Sequence, residues 1–452
     1  MNTFDVFDTL LARRHFTSDP VWQQLEQEFD IPGFISARKK ADTGTRSLQE
    51  IYNKLVDEGI VSPSTQQEMI RREIELEISI SFPVQKNVDR VKDGDVLISD
   101  MYLPAAAILQ LVRSVGMDKQ VTLYQSNGDK SNGSIWPRLT KVETGTHLGD
   151  NRHSDYDMPS RHGVTAEWFP GTGFTQLEQT MFDQGLCNLA LLSREIRLRN
   201  NPVNAEHFEI ACDANLPALF MLAELIYREK QDRDIVFLGR DCQLLHKLYN
   251  AYYSTAYYMP FSRKIAFDQP EDAVAYLTAH SPRNPLYVDI SSTGGTWAHL
   301  SQYAELDVLV AIYSDVAFYT PERPVLPPKF SYLTSNSEIG QTNLLIELFN
   351  CGNHGHLSKI DVIDGTLMRS HYGVPELPTE LIQELHKPVS QASKLSSIYA
   401  DAVRSELQKF DTTFLKGVFS NMAVYICNQR HLIDTAKGFL EQETQYLDQF
   451  TK

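Results

Sequence analysis

The chain lacks any apolar run near the roughly 20 residues that span a bilayer, and it opens on Asp5 and Asp8 with no basic stretch followed by an apolar one. The expectation is a protein without a membrane span or secretory signal, cytoplasmic, soluble or peripheral at the cytoplasmic membrane face. Cysteine is scarce: Cys187, Cys212, Cys242, Cys351 and Cys427 are odd in number, widely spaced and without a CxxC pair. A disulfide framework and a zinc knuckle are excluded, leaving reduced core thiols. Positive charge is also short, with 42 Lys and Arg against 58 Asp and Glu and a formal charge of -16. Broad electrostatic capture of nucleic acid or anionic lipid is excluded, and any polyanion site must be local. No internal repeat or low-complexity tract sets a boundary.

What remains is an ordinary globular composition, 42% hydrophobic and 22% charged over 452 residues. At about 100 to 200 residues per domain this length suits two or three domains. Two α/β rhythms follow one another. The first has strands at Thr3 to Phe7, Asp95 to Ser99, Val121 to Gln125 and Thr146 to Leu148. A helical block inserted at about residues 11–92 reads as a cap, with amphipathic stretches at Pro20 to Phe29, Ser47 to Glu58 and Ser62 to Ser79. Ser47 and Ser62 suit N-caps, and Pro63 suits a first helical position.

A polar connector at Arg194 to Asn204 precedes a helix at about Ala205 to Lys230. The second rhythm then places strands at Asp234 to Leu238, Tyr258 to Phe261, Leu286 to Ile290 and Val308 to Ser314, with helices at Cys242 to Tyr252 and Gly295 to Tyr303. Such alternation means a parallel sheet. After Pro324 to Pro328 the pattern loosens, and from Pro378 it is helical. The expected fold class is α/β: two Rossmann-like parallel-sheet domains, at 1–195 and 205–370, with a C-terminal helical appendage at 371–452.

In Phe4-Asp5-Val6-Phe7-Asp8-Thr9-Leu10, a carboxylate ends the first strand, the end at which open α/β sheets bind ligands. Three later segments add to it. Val96 to Asp100 ends a strand in the Ser99 hydroxyl, Lys130 follows the third strand, and His147 to Asp155 ends the fourth with Asp150 and Asp155 five apart. With these four motifs in this order, residues 1–190 resemble the haloacid dehalogenase (HAD) superfamily of phosphatases. The resemblance implies Asp5 as the nucleophile, Ser99 and Lys130 as holders of the phosphoryl oxygens, and Asp5, Asp150 and Asp155 as ligands of Mg²⁺.

One position departs from that pattern. The family's leaving-group acid stands two residues after the nucleophile, where this chain has Phe7; Asp8 lies one further on. Either Asp8 or a cap residue supplies the proton, or the domain is slow or inactive. His147 and His153 have no histidine partner at a ligand spacing and are expected to shape their loop. The opening segment, Ser99-Asp100-Met101-Tyr102-Leu103-Pro104 and the His147 to Asp155 run are most similar to a group of this superfamily found with bacterial surface-polysaccharide genes.

The second constellation is Leu286 to Thr296, an apolar strand running through a hydroxyl-rich Gly-Gly turn into a helix. Backbone N–H groups and hydroxyls in such a turn can cradle an anion without a basic domain. A Walker lysine and the third glycine of a dinucleotide fingerprint are both missing, which leaves a monoester phosphate. Residues 205–320 resemble the type I phosphoribosyltransferases on this loop. The resemblance implies Ser292, Thr293, Gly294, Gly295 and Thr296 around the 5-phosphate of phosphoribosyl pyrophosphate (PRPP), with Asp289 on the ribose hydroxyls. Val288 stands where the family has a second acid.

By the same resemblance Gly239, Arg240 and Asp241 face pyrophosphate, Arg240 as a fixed cationic fork and Asp241 as a Mg²⁺ ligand. Arg263 and Lys264 read as a second clamp or as surface ion pairs. Glu347, His354 and His356 are candidates for acceptor contacts. The tyrosines at 249, 252, 253, 257 and 258 read as packing, with a sugar platform as the alternative.

Together the two halves resemble bifunctional ribofuranosyltransferases of bacterial surface-glycan (O-antigen or capsule) assembly. The implied reaction transfers 5-phosphoribosyl from PRPP to a hydroxyl of a lipid-linked glycan, with loss of pyrophosphate, and then removes the 5-phosphate. Two alternatives stay open: a nucleobase salvage transferase with an attached phosphatase, and a scaffold whose HAD fold is not catalytic.

Overall fold

Short strands, buried at the centre of each sheet and more exposed at its edges, build each of the two units into which the chain divides: Met1–Phe174 with Leu198–Asn201, and Thr175–Arg197 with Pro202–Lys452. The computed structural model describes residues 1–126, 128–139, 145–315, 324–339, 344–353, 356–363, 366–372 and 379–432. Residues 175–195, expected in the first domain, group with the second unit.

In the first unit β1 (Thr3–Asp5) leads to an antiparallel ribbon of β2 (Leu11–Arg13) and β3 (Ser81–Pro83), with Leu11 opposite Pro83. Between the ribbon's strands the chain inserts α1 (Asp19–Glu28), α2 (Phe34–Ala41), α3 (Leu48–Asp57) and α4 (Gln66–Ile80). Ser47 opens α3 through a capping box with Glu50, as its position suggests. Ser62 does not open α4. Its carbonyl and hydroxyl hold the Thr65 amide in a turn, so Pro63 precedes the helix, which begins at Gln66.

Polar groups tie the insertion together from within. Glu73 of α4 takes Arg38 at 2.9 Å, Tyr52 at 2.8 Å and Trp22 at 3.2 Å, while Glu77 takes Arg13 at 2.8 Å and Ser18 at 2.5 Å. Two buried cations match two buried carboxylates, and removing one partner of such a pair typically costs about 3–5 kcal/mol.

The chain then returns to the sheet with β4 (Val96–Ser99), β5 (Thr122–Gln125), β6 (Thr146–Gly149) and β7 (Thr165–Trp168). The order is β5-β4-β1-β6-β7, with parallel pairing throughout. Chain order reverses at the junction of β1 and β6, where the carboxyl ends of strands leave a crevice.

The second unit carries a nearly unbroken helical run, Ala205–Ile210, a π-helical turn at Ala211–Asn215, and Leu216–Glu229. It is long and apolar enough to cross a membrane, but 94% of its apolar window is buried within the protein, as expected of a core helix. The sheet comprises β8 (Asp234–Leu238), β9 (Tyr257–Met259), β10 (Pro285–Ser292), β11 (Val308–Tyr313) and β12 (Phe330–Ser335). Its order is β12-β11-β10-β8-β9, again parallel, with the reversal between β8 and β10.

Where the sequence pattern loosens, the structure has β12 and a hairpin of β13 (His356–Ile363) and β14 (Thr366–Tyr372). Helices Thr379–Lys394, Ser396–Leu407 and Thr412–Cys427 follow. The expected connector from Arg194 is helical as far as Leu198. Arg194 and Glu195 belong to a buried face, with Tyr399 donating to Glu195 at 2.8 Å, so their charge misleads a reading by polarity. All five cysteines are free thiols, four of them buried.

Candidate functional site

Each reversal in strand order gathers polar residues that are far apart in sequence. In the first unit Asp5 ends β1, buried, and accepts the Thr9 hydroxyl at 2.9 Å. The Lys130 ammonium bonds Asp5 and also Asp155, the latter at 2.8 Å. Asp155 lies close because Gly149 has no side chain: a Cβ there would sit 2.3 Å from the Asp155 carboxyl carbon. Oxygens of Asp5, Asp150 and Asp155 all lie within 4.8 Å of one another. Buried Ser99 ends β4 beside β1 and accepts the Met101 amide at 3.2 Å.

The electrostatics follow from burial and crowding. Burial pushes the Asp5 carboxyl well above its ordinary range; Lys130 pulls it back, and Asp155 and Asp150 push it further up. Burial also raises Asp150, to about 6, with help from Asp8 and Asp155. Asp155 resists burial and falls to about 2, held there by the His147 hydrogen bond and the Lys130 charge. For Lys130, burial opposes the charge, and the Asp5 and Asp155 carboxylates overcome it. Three hard oxygen donors, carrying two excess negative charges over Lys130 when all are ionised, suit Mg²⁺ better than a thiophilic metal, and a divalent cation would relieve their mutual repulsion.

One support, Asp100, has no role in the sequence analysis, and a second, His147, does more than shape its loop. Asp100 accepts Ser126 at 2.5 Å, the Lys130 amide at 3.2 Å and the Ser131 amide at 3.1 Å, so it fixes the turn that presents Lys130. It follows Ser99 directly, but its partners lie some thirty residues on. His147, expected to shape its loop, bonds Asp155 at 3.2 Å through Nε2 and Thr3 at 2.8 Å through Nδ1. Burial lowers its pKa. The neutral ring then donates to Asp155 and accepts from Thr3. His153 Nε2 reaches the Ser131 carbonyl at 3.1 Å, joining the acid loop to the lysine turn.

The Phe7 ring lies under the Arg13 guanidinium at 4.6 Å, and Arg13 is itself held by Glu77. Asp8 has φ 56°, and its charge acts on both Asp150 and Arg13, so it faces the acid cluster's surroundings.

In the second unit Gly239, at φ 80°, turns the chain from β8 into Arg240, which is buried, and the half-buried Asp241. Asp241 and Asp289 come together across the reversal, with Cys242 beside them. Burial, then Asp241 and Asp289, raise the Cys242 thiol well above its ordinary value, so it stays protonated and donates to the Val288 carbonyl at 3.5 Å. The two carboxylates, rather than the thiol, are the groups that could hold a cation here.

In the hydroxyl-rich turn, the Gly294 amide donates to Ser292 Oγ at 3.1 Å and the Gly295 amide to Thr293 Oγ1 at 3.4 Å. The hydroxyls thus shape the turn from inside, which differs from an arrangement with every amide facing a ligand. Gly294, at φ 79°, has Leu326 where a Cβ would be, at 2.3 Å. Arg263 opens the helix Arg263–Asp268, and Lys264 pairs with Asp268 at 2.5 Å. Tyr249 and Tyr252 are core, Tyr252 donating to the Ala392 carbonyl at 2.9 Å.

A further neighbour of Arg240 was not foreseen. A Cβ on Gly352 would lie 2.6 Å from the Arg240 carbonyl, and Asn353 pairs reciprocally with Gln243 at 2.9 and 3.1 Å. His354 and the side chains of Glu347 and His356 lie outside the described residues. No protein-family model and no curated protein matches the chain.

Proposed function

We propose that the chain is a bifunctional enzyme that moves a 5-phosphoribosyl group from PRPP to a glycan hydroxyl and then removes the 5-phosphate, leaving a ribofuranosyl residue. The observation that carries the reading is the meeting of Asp5, Asp150, Asp155 and Lys130 at one strand reversal. In the hydrolytic half an Asp5 oxygen attacks phosphorus, the bond from phosphorus to the ribose oxygen breaks, and the leaving alkoxide takes up a proton. Water then cleaves the aspartyl phosphate, releasing phosphate and restoring Asp5. Lys130 neutralises phosphoryl oxygens, and Asp5, Asp150 and Asp155 would hold Mg²⁺, which supplies further charge neutralisation when bound.

In the transfer half the acceptor oxygen bonds to C1 of the ribose, the C1–O bond to pyrophosphate breaks, and the hydroxyl proton passes to water. Arg240 and Asp241 belong with the departing pyrophosphate, Asp289 with the ribose, and the turn from Ser292 to Thr296 with the 5-phosphate. The neighbouring pair of Asp241 and Asp289 at the second reversal supports this. The motifs shared with the polysaccharide-associated group favour a lipid-linked glycan as acceptor. A first unit without catalysis is the reading that Phe7 favours, and release of phosphate from an aryl ester separates the two.

The test is mass spectrometry of an oligosaccharide incubated with PRPP, Mg²⁺ and enzyme. The wild type should add a ribofuranosyl group, and Asp5→Asn should leave a product about 80 Da heavier, one HPO₃ retained for want of the phosphoryl acceptor. Identical masses from both proteins would remove the first unit from the reaction, and no product from the wild type would refute the proposal.

A further inference from the structure

We propose that Trp168 and Arg152 form a subsite that holds the sugar portion of the phosphomonoester beside the acidic cluster; the inference rests on the hydrolytic reading of the Asp5 site. Trp168 is the last residue of β7 and lies beside Gly149 of β6, at the same carboxyl edge of the sheet as the cluster. Its indole Nε1 donates to the Asp150 carbonyl at 2.7 Å. One edge of the ring is thereby pinned to a residue of the cluster. The rest stays open: Trp168 is 43% exposed, whereas Trp22, Trp136 and Trp297 are buried.

Arg152, two residues after Asp150, adds a second planar group. Its guanidinium lies 5.2 Å from the Trp168 ring centre and 4.1 Å from that of Tyr156, and its Nε is 3.5 Å from Asp157. A guanidinium stacked against aromatic rings is held flat while its edge N–H groups stay available. The rim of the site thus offers a rigid apolar face next to a row of fixed donors.

That pairing selects the ligand's chemistry. A sugar ring presents C–H groups on its face and hydroxyls at its edge, so it can cover the indole and accept from the guanidinium at once. An acyl chain would leave the donors unused. A nucleobase could also stack, but its phosphate would then be a nucleotide's, and the two classes are separable by experiment. Surface tryptophans pinned at one edge and open elsewhere are typical anchors of recognition, since the ring has little freedom to lose on binding.

The experiment compares three phosphate esters with the full-length protein and Mg²⁺: acetyl phosphate, a 5-phosphoribofuranosyl disaccharide and adenosine 5′-monophosphate. Trp168→Ala should lower the ratio of kcat/KM for the disaccharide phosphate over acetyl phosphate by about tenfold, mainly through KM. Trp168→Phe, which keeps a stacking ring but loses the bond to the Asp150 carbonyl, should retain most of that ratio. Equal losses on the two esters would make Trp168 a support for Asp150 alone and overturn the subsite. A larger selective loss for the adenosine ester would assign the ring to a base and overturn it too.

A readout independent of turnover uses the exposure of Trp168. Acrylamide quenches accessible indoles, so the disaccharide phosphate should protect a fluorescence component that Trp168→Phe lacks. Absence of protection refutes the subsite. Failure of the wild type to hydrolyse acetyl phosphate would instead refute the hydrolytic reading.

Discussion

Asp8 donates its amide to the Leu11 carbonyl at 2.6 Å from a left-handed backbone conformation that a non-glycine residue seldom adopts. The bend turns the chain just after Asp5, and the Asp8 charge acts on Asp150 on one side and Arg13 on the other. Phe7, clamped beneath Arg13, cannot give a proton to a leaving alkoxide. If Asp8 does, Asp8→Asn should slow hydrolysis of an alkyl phosphate by about 10² or more and hardly change an aryl phosphate, whose leaving group departs unprotonated. Equal losses on both would assign Asp8 to the turn, and an unimpaired alkyl rate would assign the proton to the helical insertion. At this scale the sequence was informative where chemistry sits directly after a strand, as with Asp5, Ser99 and Asp150. It did not show what Asp100 and His147 bond to, because their partners Lys130 and Asp155 are reached through loops whose course the sequence does not give.

Helix Gln176–Asp183 opens with a capping box in which Thr175 and Glu178 satisfy each other's amides. Glu178 also receives both prongs of Arg197, at 2.9 and 2.8 Å. Asp213, on the π-helical turn packed against this helix, is therefore left with carboxylate neighbours and one carboxyl oxygen without a hydrogen bond. Burial, then the Glu178 charge, raise its pKa to about 7; the Thr175 hydroxyl and Arg197 offset them in part, and Glu209 adds to the rise. Cys212 and Tyr425 are the other titratable groups facing it.

Unfolded, the same carboxyl titrates near about 3.9. Between these values the folded chain keeps a proton that the unfolded chain has lost, so this residue's contribution to stability is full below pH 4, declines as pH rises to about 7, and is gone above. Asp213→Asn cannot ionise. Its melting temperature should match the wild type near pH 4 and exceed it by several degrees at pH 8, for a difference on the order of 4 kcal/mol. A constant gap between the two melting curves across this range would show that Asp213 does not titrate there. Element boundaries were legible by the same local rules only in part. Ser47 opens a helix as a serine at that position suggests, whereas Ser62 spends its hydroxyl and carbonyl on a turn. Arg194 and Glu195 read as surface because composition cannot show that a charged helical face is buried.

Two sheets of five parallel strands, each with a single reversal of order, give the molecule two crevices built on the same principle. The alternation of apolar strands and helices made two parallel sheets readable, with four strands of each but not the strand order, since a parallel sheet is the arrangement that such alternation supports. The fifth strands β7 and β12 and the hairpin β13–β14 were not readable; β7 and β12 mix polar and apolar residues, several of them exposed, without a sustained period. If each crevice performs its own step, the steps should be separable. Asp289→Ala should abolish modification of the acceptor by PRPP and still dephosphorylate a supplied phosphoribosyl product; Asp5→Asn should do the reverse. Near-normal transfer by Asp289→Ala would unseat the assignment of that loop. Mixing the two variants tests the order of events. A phosphorylated intermediate that leaves one chain and enters another restores the wild-type mass in the mixture, at a rate that rises with the concentration of Asp289→Ala protein. A mixture that stalls at the heavier product, while each variant alone performs its own step, would mean that the intermediate passes between crevices of the same chain.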